Sequence, residues 1–189
     1  ARTYEHVDPA RVGNRQTIVV SDMAGQTNVL MKAKELGIPL KKGSAEVGAI
    51  LREIKEAEAA GYEYEAAEGS FELLLRKTLG KYEPIFELKE YHCHYRCRGD
   101  GASEPCEATV KLSVNGTAEY TVAEGDGPVN ALDAALRKAL RPFYSWIDEV
   151  RLTDYKVRIV DGGRGTAART RVLITSSAGQ ESWGTVGVS

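Results

Sequence analysis

The fold is decided by the stretch Cys106-Glu-Ala-Thr-Val-Lys-Leu-Ser-Val114, Asn115-Gly116, Thr117-Ala-Glu-Tyr-Thr-Val-Ala-Glu124, Gly125-Asp-Gly-Pro-Val-Asn-Ala131. Cys106, Ala108, Val110, Leu112 and Val114 alternate with Glu107, Thr109, Lys111 and Ser113, the period-two pattern of a strand with one apolar face. Asn115-Gly116 marks a two-residue hairpin, because both residues tolerate positive φ. A returning strand follows, with Ala118, Tyr120 and Val122 on one face. Pro128 then suits the first turn of a helix, where its missing N–H costs nothing. That helix runs to about Arg141, with Val129, Leu132, Ala135, Leu136, Ala139 and Leu140 on its apolar side. Glu124 and Asp126 precede it and Arg137, Lys138 and Arg141 close it, signs that suit the helix dipole. Pro142 stops it.

Working outward, a strand at about 85–98 precedes the hairpin, so this part reads βββα. The pattern restarts with strands at about 150–160, 166–176 and 182–188, the first two joined by a loop at Asp161-Gly162-Gly163-Arg164-Gly165. A supersecondary repeat predicts a second helix after Ser189, and a sheet with one apolar face needs cover. The expectation is a fragment cut before its last helix. Upstream, the period is helical. Asn28, Ser44 and Ser70 are candidate caps for three helices that stop at Gly37, Gly61 and Gly80. Their stripes are Val29, Leu30, Ala33 and Leu36; Val47, Ile50, Leu51 and Ile54; and Phe71, Leu74, Leu75 and Leu79. Residues 1–25 read as irregular or extended, with Thr17–Val20 a short strand candidate. The predicted fold class is α+β: a mostly helical subdomain over 1–83, then a domain of two βββα units, short of its last helix, over 84–189.

The 189 residues carry 25 Lys+Arg against 27 Asp+Glu, a net charge of −2, with 42% hydrophobic residues. That balance is globular and argues against a general nucleic-acid surface. No apolar run approaches the ~20 residues that span a bilayer, and Ala1–His6 has no apolar signal core. Three cysteines, Cys93, Cys97 and Cys106, are an odd number, read as reduced thiols in a cytoplasm.

His92-Cys93-His94-Tyr95-Arg96-Cys97 with Cys106 is the most metal-like cluster, since imidazole and thiolate suit zinc. On a strand, however, His92 and His94 share one face while Cys93 and Cys97 share the other. The ligands are split, and the reading is cysteines packed as small hydrophobes, with no metal site. The same alternation keeps Cys93 from pairing with its neighbouring histidines in catalysis. The loop Glu124–Asn130 carries more information. The amides of Val129 and Asn130 at a helix N-terminus are a place to hold a small carboxylate. The loop serves equally as a simple turn, and the motif alone leaves both readings open.

Five stretches in order resemble a known family. Thr3-Tyr4-Glu5-His6-Val7-Asp8-Pro9 with Val12-Gly13-Asn14, Val20-Ser21-Asp22, Asn28-Val29-Leu30 and Lys32–Gly37 is similar to the segment just after the catalytic barrel of the citramalate synthases, within the isopropylmalate/homocitrate synthase superfamily. Glu68–Arg76, Gly125–Asp133, Leu152–Ile159 and Trp183–Ser189 continue the likeness over nearly the whole chain. The resemblance implies a full-length enzyme that condenses acetyl-CoA with a 2-oxo acid on a divalent metal in a (β/α)8 barrel. Barrel and metal would both lie outside this chain, so no cofactor is expected here and the chain alone should be inactive. Tyr4 matches a tyrosine that assists catalysis in a neighbouring subunit's site. The resemblance further implies a homodimer that binds its end-product amino acid, isoleucine, or leucine if the chain is of isopropylmalate synthase type. The implied effector-binding residues are Gly127, Val129, Asn130, Leu152, Tyr155, Ile159, Ala168 and Thr170. A stand-alone dimeric amino-acid sensor and a zinc-bound module on the three cysteines are the readings from other classes. An ACT domain would run βαββαβ, which this order does not.

Overall fold

A computed structural model describes residues 26–96 and 104–189. Three helices open it: α1 (Gln26–Glu35), α2 (Ala45–Ala59) and α3 (Glu68–Thr78). Their apolar stripes meet in one cluster of Val29, Ala33, Ile38, Ile50, Ile54, Tyr64, Phe71 and Leu75, and a fully buried side chain of this size contributes about 1.5–3 kcal/mol. Ser44 caps α2 as expected, its hydroxyl accepting the Val47 N–H at 3.4 Å. All three helices end in the same paired hydrogen bonds. After α2, Gly61 N–H reaches the Glu58 carbonyl and Tyr62 N–H the Ala57 carbonyl, with Gly61 at φ 103°. This is the Schellman closure, which needs a left-handed residue that glycine adopts without strain.

Two expected starts are corrected. α1 is already helical at Gln26, the first residue described, so Asn28 lies within the helix and does not cap it; the burial of Val29 and Ala33 fixes the helix face. α3 begins at Glu68 with Ala67 at the cap position. Ser70 does not cap it, because its hydroxyl is taken by a distant partner, accepting the Val186 N–H at 2.9 Å.

The strands β1 (Glu87–His94), β2 (Cys106–Val114) and β3 (Thr117–Gly125) form an antiparallel sheet in the order β1-β2-β3. Val114 pairs with Thr117 around Asn115 (φ 49°) and Gly116 (φ 83°), the expected two-residue turn. Helix α4 (Pro128–Leu140) covers one face. Its Ala131, Ala135, Ala139 and Leu140 pack on Cys106, Ala108, Val110, Leu112 and Val114. The alanines let the helix axis come close to the sheet. The register places Thr121, not its neighbours, opposite Val110. Thr121 therefore points at the helix and is buried, its hydroxyl satisfied by the Ala135 carbonyl at 2.7 Å. Ala118, Tyr120 and Val122 share a face, as read, but it is the face away from α4, and Tyr120 is 68% exposed. Beyond α4, Arg141 forks onto the Asp148 carboxylate at 2.7 and 2.9 Å, securing a 3-10 turn at Ser145–Glu149.

A second sheet follows in the order β4 (Arg151–Ile159), β5 (Thr170–Ala178) and β6 (Glu181–Val188). The βββα-then-βββ order read from the sequence is what the structure contains. The loop is longer than expected and β5 starts at Thr170, not Thr166. The Asp161 carboxylate accepts the Arg169 N–H at 2.6 Å and the Arg169 carbonyl accepts the Val160 N–H at 2.9 Å. Those bonds close the strand pair at residues 160 and 169, so the residues between form a 3-10 segment, Gly162–Ala167, broken at Gly165. Ala168 consequently lies before β5 instead of within it.

The described residues divide into two compact units. One holds residues 26–82, 153–175 and 183–189; the other holds 83–96, 104–152 and 176–182. In the first, β6 docks on the segment between α2 and α3. Gly184 is buried there, and a side chain on it would stand 1.9 Å from the Ala66 carbonyl oxygen. Arg171 adds bonds to the Gly61 carbonyl and the Glu63 carboxylate. Among the described residues no helix is long and apolar enough to cross a membrane.

Candidate effector site

The predicted anion-holding loop lies where β3 hands over to α4. Gly127 takes the N-cap position in extended backbone, and no side chain caps the helix. The first helical bond runs from the Ala131 N–H to the Gly127 carbonyl at 2.9 Å. The amides of Val129 and Asn130 precede it, and helix geometry gives them no intrahelical acceptor. Val129 is 49% exposed beside them and offers apolar surface. Asn130 turns back on the loop, its Oδ1 accepting the Asp126 N–H at 3.1 Å. Gly125 is a closer fit than the sequence suggested: a Cβ there would stand 2.5 Å from both the Ala131 nitrogen and Asn130 Oδ1. The arrangement can present two backbone N–H groups and the positive end of a helix dipole to a carboxylate.

Gly127, Val129 and Asn130 are thus brought together, in the unit that also holds Leu152. Tyr155, Ile159, Ala168 and Thr170 belong to the other unit. Leu152, Tyr155 and Ile159 are 51%, 44% and 65% exposed. Strand alternation puts Tyr155, Val157 and Ile159 on one face of β4 and Leu152 on the other, with Asp154 and Lys156. Those last two pair at 2.6 Å, and the Lys156 hydrogen bond holds the Asp154 carboxyl below its usual range. Thr170 opens β5, its hydroxyl 2.7 Å from that of Ser189. Tyr4, the Thr17–Val20 strand candidate and Cys97 lie outside the described residues.

The cysteine and histidine positions follow the alternation that the sequence implies. His92 and His94 stand opposite Thr109 and Glu107, and Cys93 stands opposite Ala108 on the helix-facing side. His92 bonds Glu90 at 2.7 Å, and that hydrogen bond lowers the Glu90 carboxyl from its ordinary value. Sequence reasoning missed the partner of Cys93: its sulfur lies 3.3 Å from that of Cys106 and 3.8 Å from the Pro128 carbonyl in the first turn of α4.

A family model described as the LeuA allosteric (dimerisation) domain matches residues 65–189. Along its whole length the chain is 48% identical to an (R)-citramalate synthase of Aquifex aeolicus, covering 36% of that protein. It is 51% identical to an (R)-citramalate synthase of Synechocystis over 99% of this chain and 35% of that one. It is 37% identical to the Sulfolobus acidocaldarius (R)-citramalate synthase over 100% of this chain and 34% of that one. The chain spans about 35% of the length of the relatives it matches.

Proposed function

Because the chain belongs to the family of LeuA allosteric (dimerisation) domains, we propose that it is the linker and regulatory region of an (R)-citramalate synthase. The whole enzyme would be a cytoplasmic acyltransferase that joins acetyl-CoA, pyruvate and water into citramalate and CoA on a divalent metal, with Tyr4 assisting in the neighbouring subunit. The observation that carries this reading is the 46–51% identity to (R)-citramalate synthases over almost the whole chain. The chain by itself should not release CoA from acetyl-CoA and pyruvate.

In this reading the region forms a homodimer and binds isoleucine as feedback inhibitor. The Val129 and Asn130 amides receive the carboxylate, with about 0.3–1 kcal/mol from the helix dipole. Backbone carbonyls, or the second lone pair of Asn130 Oδ1, take the ammonium. Val129 meets the branched side chain, and Gly127, Leu152, Tyr155, Ile159, Ala168 and Thr170 are the further effector residues that the family resemblance implies. The exposed apolar residues of β4 support a partner surface, since sheet faces of this kind need cover. One methyl group out of place costs about 1 kcal/mol, so leucine should bind several-fold to tenfold more weakly, not be excluded.

Calorimetry with isoleucine and leucine tests the reading, alongside light scattering at tens of micromolar. Tyr155→Ala should weaken isoleucine binding without dissociating the dimer. Tighter binding of leucine would move the assignment to an isopropylmalate synthase. Binding of neither ligand by the full-length enzyme would refute the regulatory reading, and isoleucine binding by a protein whose reading frame encodes no catalytic barrel ahead of this region would favour a stand-alone sensor.

A further inference from the structure

We propose that Cys93 and Cys106 form a reversible dithiol–disulfide site, oxidised by hydroperoxides and reopened by thiol reductants. The two residues sit on adjacent antiparallel strands. Cys93 stands opposite Ala108 and Cys106 lies two residues before it, so both side chains are on the face that α4 packs against. Their sulfurs are 3.3 Å apart. Closing to the ~2.05 Å of a disulfide takes about 1.2 Å of approach, shared between two side chains near strand ends.

The two thiols have different surroundings, which divides the work between them. Cys93 is exposed and Cys106 is buried, so a hydroperoxide in solution reaches Cys93 first. Burial, then the hydrogen bond with Cys93, pushes the Cys106 thiol up from its ordinary value, and Cys106 is held as a thiol until it reacts. The Cys93 thiolate attacks one peroxide oxygen and the O–O bond breaks. Cys93 becomes a sulfenic acid, and the departing hydroxide takes up the proton that the Cys93 thiol gave. The Cys106 sulfur then attacks the Cys93 sulfur. The S–O bond breaks, and the hydroxide leaves as water with the Cys106 proton. Two thiols and one hydrogen peroxide give one disulfide and two waters; the sulfurs lose two electrons and the peroxide oxygens gain them.

Closure has a structural consequence. It ties the exposed strand β1 to the core strand β2. It also removes the thiol donor that faces the Pro128 carbonyl in the first turn of α4. The redox site does not depend on the effector reading, because its chemistry rests on the sulfur geometry alone.

Peptide mapping tests it. The protein is treated with hydrogen peroxide, its remaining thiols are alkylated, and it is digested with trypsin without reduction. Cleavage after Lys89, Arg96, Arg98 and Lys111 puts the three cysteines on separate peptides, 90–96, 97–98 and 99–111. The expected product is 90–96 joined to 99–111, lighter by two hydrogens than the sum and separated by dithiothreitol. Cys97→Ser should leave this link intact. Cys93→Ser, a change at an exposed position, should abolish it and slow thiol loss from Cys106 at least tenfold. A bond carried by peptide 97–98, over-oxidation without a link, or equal thiol loss in Cys93→Ser would overturn the proposal.

Discussion

Replacing Gly125 by alanine tests the close approach on which the loop geometry rests. The new Cβ would stand 2.5 Å from the Ala131 nitrogen and Asn130 Oδ1 and 2.9 Å from the Ala131 Cα. Two of these atoms are helix backbone, so the first turn of α4 must move away from the sheet. Overpacking of this kind costs about 1–3 kcal/mol. Displacing Asn130 also loosens its bond from the Asp126 N–H at 3.1 Å, worth about 0.5–1.5 kcal/mol. The sum is about 1.5–4.5 kcal/mol, and with a urea slope of about 2 kcal/mol/M the midpoint should fall by about 0.8–2.3 M. Trp146 lies in the same unit as Gly125 and the other tryptophan, Trp183, does not. Fluorescence of Trp146 in a Trp183→Phe background therefore reads the right transition. Gly127→Ala is the control: its Cβ meets nothing within 4 Å and its φ of −169° is ordinary extended backbone, so it should cost less than about 1 kcal/mol. Equal midpoints for wild type and Gly125→Ala, or equal losses for the two glycines, would refute the packing argument.

Val110→Ala removes a side chain that is 3% exposed between α4 and the sheet, and should cost about 2–3 kcal/mol by chemical denaturation. Ser44→Ala loses the cap of α2 and should cost about 0.5–2 kcal/mol, seen as a lower melting temperature. Burial first, then the charges of Tyr62, Glu58 and Glu53, pushes Tyr64 up to about 12 from 10.0. The unfolded chain therefore loses this proton before the folded one does. Its stability contribution is complete below about pH 10 and is lost as pH rises towards 12. A urea series across that window should show the fall in wild type, and Tyr64→Phe should remove that part of it.

Local chemistry was legible where local bonds decide the outcome. Ser44 caps α2 because the Val47 N–H is three residues away, and Asn115-Gly116 turns the hairpin because both residues accept positive φ. Ser70 looked like the same kind of cap, but its hydroxyl is claimed by Val186, 116 residues later, and nothing near Ser70 announces that partner. The inward face of β3 was equally hidden. Ala118, Tyr120 and Val122 have the apolar look, yet the register set by the tight turn sends Thr121 inward and its hydroxyl finds a helix carbonyl. At the candidate site, the glycine loop and its free amides were readable from Gly127-Pro128. The local bond from the Asp126 N–H to Asn130 was not singled out, and the meeting of Cys93 with Cys106 was not legible, because it depends on how two strands come into register.

The bonds between Ser70 and Val186 carry a consequence for the order in which the molecule is made. The β1–β2–β3–α4 unit draws its core from one continuous run, Cys106–Leu140, and can close soon after that run leaves the ribosome. The helical unit recruits β6 from the far end of the chain. Loop closure over such a separation is slow compared with hairpin or helix formation. During synthesis the α1–α3 cluster must therefore wait with the groove for Gly184 open, and pulse-labelled hydrogen exchange should find the amides of β2 and β3 protected before that of Val186. The run from Cys106 to Leu140 should fold first, and the helical unit that precedes it is completed by β6.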